Sequence, residues 1–68
     1  MASFREWLCQ FRRDDTALGD LARDAAADPA WPASDDLEVV FLHLVEVGAY
    51  DSALEALDVA WTRWADGR

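Results

Sequence analysis

Asp14-Asp15-Thr16-Ala17-Leu18-Gly19-Asp20-Leu21-Ala22-Arg23-Asp24-Ala25-Ala26-Ala27-Asp28-Pro29 contains a whole helix together with both of its ends. Thr16 is a side chain that can accept a free amide at a helix start. Leu18, Leu21, Ala22 and Ala25 then recur at i, i+3, i+4 and i+7, one apolar stripe of helical period. Pro29 drives the residue before it out of helical geometry, so the helix must end by Asp28. The small residues of the stripe, with Gly19 beside it, predict a close approach to a neighbouring helix.

Working outward, the same grammar repeats on both sides. Toward the N-terminus, Ser3 and Glu6 have the spacing of a capping box. Phe4, Trp7, Leu8 and Phe11 follow as a stripe, predicting a first helix over residues 4–13 with Arg12 and Arg13 at its negative dipole end. Toward the C-terminus, Pro29-Ala30-Trp31-Pro32 is a stiff, non-helical link, and Trp31 between its prolines reads as a plug over the core. A third helix is expected from Asp35 or Asp36, capped by Ser34 or Asp35, with Leu37, Val40, Phe41 and Leu44 facing inward and Gly48 ending it. A fourth runs from Asp51 or Ser52 to about Ala65 on Ala53, Leu54, Leu57, Ala60, Trp61 and Trp64, with Ser52 and Glu55 spaced as a second capping box. Four short helices with short links form an all-α compact bundle, a single domain over residues 1–68.

Composition limits what such a bundle can do. The chain is 53% hydrophobic and carries four tryptophans, an apolar load that disordered chains lack. Its net charge of −8 sets it against phosphate backbones and anionic membranes. No apolar run approaches the ~20 residues a spanning helix needs, and no leader pattern is evident. The single cysteine, Cys9, allows no internal disulfide and suits a reducing cytoplasm. All six basic residues are Arg, with no Lys, Asn or Ile, which reads as GC-rich bacterial coding.

Ser3-Phe4-Arg5-Glu6-Trp7-Leu8, Gly19-Asp20-Leu21-Ala22-Arg23-Asp24, Asp28-Pro29-Ala30-Trp31-Pro32 and Gly48-Ala49 followed by Ala53-Leu54-Glu55 and Ala60-Trp61 together resemble the YozE-like family. These are small bacterial domains with a sterile-alpha-motif-like (SAM-like) fold, and the likeness runs in order along nearly the whole chain. It implies SAM-like packing of four helices; it does not imply a mechanism, since the family has no assigned activity. Val39, Leu42 and Val45 stand where the family's pattern would be more polar.

The chemistry-bearing residues mostly have structural readings. Asp14-Asp15 and Asp35-Asp36 sit at helix starts, where carboxylates cap amides. The spacing of a calcium loop is absent. His43 and Glu46 form the reverse of a helical metal pair, so no metal ligand set is expected and His43 reads as a boundary residue. Cys9 lies off the apolar stripe with no general base beside it, which argues for an incidental thiol rather than a nucleophile. No catalytic residue and no cofactor follow, and no small-molecule substrate.

Three surfaces remain as candidates. Asp20, Arg23 and Asp24 form a polar set in which Asp20 and Arg23 can pair at i, i+3. Arg23 either braces helix two against a nearby loop, or the set recognises a protein partner. Val39, Leu42 and Val45 lie outside the inner stripe of helix three. A helix apolar nearly all round is usually the buried central one; the other reading is an exposed contact patch, for a partner or for self-association. Arg5, Arg12 and Arg13 are the one cationic cluster, and through them nucleic-acid binding is the alternative function. The expectation is a non-catalytic cytoplasmic protein, a protein–protein interaction or regulatory module.

Overall fold

The computed structural model describes residues 2–67. Four helices follow in order, α1 (Phe4–Cys9), α2 (Ala17–Ala27), α3 (Leu37–Glu46) and α4 (Asp51–Asp66), with no strand among the described residues.

Local chemistry explains the boundaries. The Ser3 hydroxyl accepts the Glu6 amide at 3.2 Å, so the expected cap of α1 forms. Its other half differs, since the Glu6 carboxylate takes the Ser3 hydroxyl at 3.3 Å. Instead, the Phe4 amide donates to the Asp35 carboxylate at 3.0 Å, across 31 residues of chain. Asp35 therefore caps α1, not its own helix. The cap of α3 falls on Asp36, one residue beyond Asp35 and two beyond Ser34, the expected caps, and accepts the Glu38 amide at 2.9 Å.

α1 is shorter than its stripe suggests. The amides of Phe11, Arg12 and Asp14 turn to carbonyls three residues back, at 2.9–3.3 Å, which winds residues 10–13 tightly. Guanidinium groups take the carbonyls that a longer helix would use. Arg12 donates to the Cys9 carbonyl at 3.2 Å. Arg23 donates to those of Arg12 and Asp14 at 2.7 and 3.1 Å.

The other ends follow expectation more closely. The Thr16 hydroxyl accepts the Gly19 amide, and α2 stops at Ala27 with Asp28 in extended geometry. At the end of α3 the Ala49 amide reaches the Leu44 carbonyl (2.9 Å) and the Gly48 amide that of Val45 (3.1 Å). With Gly48 at φ +80° this is a Schellman ending. α4 starts at Asp51, but its cap is Tyr50 with no side-chain bond. Ser52 already lies inside the helix, so the second capping box does not form.

Phe4, Leu8, Leu21, Ala22, Ala25, Trp31, Val40, Leu44, Leu57, Ala60 and Trp64 form one core. Trp31 plugs it as its setting between prolines predicts. α4 packs against all three other helices, whereas α3 approaches α4 alone among the helices. That asymmetry overturns one expectation. Phe41, read as an inner residue, is 39% exposed, because α3 has a helical neighbour on one side only.

Gly19 permits a close approach, though not to a helix. A Cβ there would stand 1.9 Å from the Asp14 carbonyl oxygen, which belongs to the loop that Arg23 draws in. At an unconstrained helical site, Gly→Ala gains about 1 kcal/mol. Here the sign should reverse: Gly19→Ala should lose about 1–3 kcal/mol, the usual cost of forced overpacking, as measured by urea denaturation. A more stable variant would mean that loop and helix do not meet here.

Candidate functional site

The α2 set is mostly a brace. Arg23 pairs with the Asp20 carboxylate while its other nitrogen holds the Arg12 and Asp14 carbonyls. Arg23 thereby ties α2 to the α1–α2 loop, the first of its two readings. Asp24 is exposed beside it.

The three arginines expected on the first helix do not converge; only Arg5 lies on α1, and Arg12 and Arg13 fall in the turn after it. Arg5 is half-buried and donates from Nε and Nη2 to the Ala25 carbonyl (3.1 and 2.8 Å) and from Nη2 to that of Asp28 (3.0 Å). These carbonyls close α2, so Arg5 caps a neighbouring helix and offsets its negative end. Arg12 turns back onto its own chain, and Arg13 is exposed. Arg5 and Arg12 are thus committed to backbone carbonyls in separate places.

One polar link was not legible in the sequence. His43 on α3 lies with Nε2 2.7 Å from Oδ2 of Asp28. An ionised carboxylate can only accept, so Nε2 is the donor. Asp28 Oδ1 accepts the Ala30 amide at 2.8 Å, which closes the turn before Trp31. The His43 ring meets Trp31 edge-on at 6.0 Å. The bond from His43, then the bond from Ala30, hold the Asp28 carboxyl below the usual aspartate range; partial burial opposes them. Only Asp28 next to a proline hinted at this link, as a turn former, and nothing local pointed to His43, 15 residues away. Cys9 lies on a different helix, partly exposed. The pair therefore links α3 to the end of α2. Among the described residues, no three His, Cys, Asp or Glu come together as a metal site.

The remaining surface is α3 itself. Leu42 is 57% exposed, Val45 50% and Val39 42%. Leu42 lies three residues from each of the other two, so the three form a ridge along the helix. Of the two readings of these residues, burial at the centre of the bundle is therefore wrong. Phe41 continues the ridge to the α3–α4 groove, a cavity of about 620 Å³ whose apolar wall also includes Leu37 and Leu54.

Four helices in this arrangement agree with a match to the family model described as YozE SAM-like fold, over residues 3–66. The chain belongs to the YozE SAM-like family. No curated protein and no solved structure matches it. The YozE SAM-like assignment accounts for the four-helix packing, and it leaves the α3 ridge to be explained by this chain's own residues. No helix of this YozE SAM-like domain, among the described residues, is long and apolar enough to cross a membrane.

The Asp28–His43 link makes stability depend on acid in a defined direction. Folding lowers the Asp28 pKa, so this contribution is present above the unfolded value of about 3.9. It is lost as pH falls from there through the folded value. The Asp28→Asn variant should therefore differ most from the parent in urea midpoint near neutral pH, and the gap should close below about pH 4. A gap that stays constant down to pH 2 would mean the carboxylate is not preferentially ionised in the fold.

Proposed function

We propose that the chain is a non-catalytic protein-interaction module of the cytoplasm whose contact surface is the outer face of α3. The observation that carries this reading is the ridge of Val39, Leu42 and Val45, open to solvent on a helix that only α4 covers. Exposed contiguous apolar surface of this kind marks interaction sites. In a core this small, these residues would stabilise the fold more if they faced inward, so their exposure suits another role. A non-catalytic role is part of the proposal, and it is supported by the side chains that could do chemistry being taken up in structural links, Arg23 with Asp20 and His43 with Asp28. Nucleic-acid binding loses support too, because Arg5 and Arg12 of the cationic cluster are held by backbone carbonyls, which leaves Arg13 alone exposed and uncommitted.

Leu42→Asp tests the reading. Half-exposed, the new carboxylate can stay hydrated, so the melting temperature should remain within a few degrees of the parent's. Sedimentation equilibrium, together with quantitative mass spectrometry of proteins captured from bacterial cytosol, should show weaker self-association or loss of specific captured proteins. A folded variant with the parent's oligomeric state and the parent's captured set would refute the reading. A loss of several kcal/mol would instead place Leu42 in the core.

A further inference from the structure

The groove between α3 and α4 has an apolar floor and a rim of one charge. Leu37 and Phe41, one turn apart on α3, face Leu54 of α4 across it. Asp51, Glu55 and Asp58 follow at i, i+4 and i+7 along one edge of α4, and Glu38 closes the α3 side. No Lys, Arg or His lines the groove. None of the four carboxylates is in an ion pair among the described residues, whose only pairs are Arg23–Asp20 and His43–Asp28. Like charges one turn apart on a helix repel, so the rim stands in a state that an opposite charge would relieve.

We infer that this groove receives a cationic amphipathic helix of a partner protein. Its apolar face lies on Phe41, Leu37 and Leu54, and its Lys or Arg side chains reach the rim carboxylates. The inference rests on the interaction-module reading and names the class of partner. Charge complementarity selects the occupant. A phosphate backbone or an anionic lipid would meet four carboxylates, and a second copy of this chain brings its own net charge of −8. Shape selects the helix. At about 620 Å³ the groove has room for more than one side chain, and the exposed Leu42–Val45 ridge extends its apolar surface beyond what a small molecule would cover. The described residues include no strand, so they offer no sheet edge to an extended peptide. A helix lying in a groove, anchored at i, i+3, i+4 and i+7, is the mode that suits an apolar floor between two helices.

The probe is a fluorescein-labelled synthetic peptide of Leu, Ala, Lys and Arg, sixteen residues long by design, with its leucines on one helical face. One control replaces every Lys and Arg by Glu, and another replaces every Leu by Ser. Fluorescence anisotropy with the whole chain should show saturable binding of the first peptide alone. Binding should weaken roughly tenfold or more between 50 and 500 mM NaCl as screening shortens the reach of the rim. Amide shifts in nitrogen-15 spectra should centre on Phe41, Leu54 and Glu55. The double variant Glu55→Lys with Asp58→Lys alters exposed positions and should melt like the parent, whereas Phe41→Ser, at a position 39% exposed, should melt lower yet stay folded. Compared where each is folded, both should bind at least about tenfold more weakly, the scale of a lost hot-spot contact.

No binding of the cationic peptide, equal binding of the serine control, or shifts confined to α1 and α2 would each overturn the inference. Failure of the peptide alongside capture that depends on Leu42 would sink the groove's occupant and leave the module reading standing. Failure of both would sink both.

Discussion

Leu57, Ala60 and Trp64 line one face of α4, and the other helices assemble on it. The Trp64 ring meets Phe4 of α1 edge-on at 5.7 Å. α2 and α3 pack on the same helix, and α3 has no other helical neighbour. Sixty-eight residues give a high ratio of surface to volume, and four helices around one axis cannot each be covered on every side. Here the shortfall falls on α3. Its Val40 and Leu44 enter the core, while four large apolar side chains, Val39, Phe41, Leu42 and Val45, stay in contact with water.

Links between side chains and distant backbone compensate for the small core. Arg5 closes the end of α2, Asp35 opens α1, and Arg23 holds the α1–α2 loop. The Trp61 indole donates to the Asp35 carbonyl at 2.9 Å, which ties α4 to the α2–α3 loop. The Asp35 and Arg5 links satisfy backbone groups that a short helix leaves open at its end, and those of Arg23 and Trp61 satisfy loop carbonyls. α1, with six residues, depends on this most, since an isolated helix of that length is not stable in water.

The same division explains what could be read from the chain in advance. Stripe, cap and proline stop are local signals, so the number of helices, the Thr16 cap and the Gly48 ending followed from spacing alone. The bonds of Asp35 to Phe4, Arg5 to Ala25 and His43 to Asp28 span 15–31 residues. No local period encodes such pairings, and they moved the α3 cap by one residue and drew Arg5 out of the expected cationic cluster. Phe41 failed for a related reason. Its position on the helical wheel is set by the sequence, but its burial depends on whether a second helix stands beside α3. The excess of acid was plain from composition, whereas the lining up of Asp51, Glu55 and Asp58 beside Leu54 and Phe41 needed the packing of α3 on α4.

The central claim is that α3 exposes its outer face in the monomeric domain. Solvent relaxation enhancement measured on methyl groups, with a soluble gadolinium chelate added to dilute protein, tests it directly. The Val39, Leu42 and Val45 methyls should broaden strongly, with Val40 and Leu44 protected. Protection of Leu42 and Val45 equal to that of Val40 would contradict it.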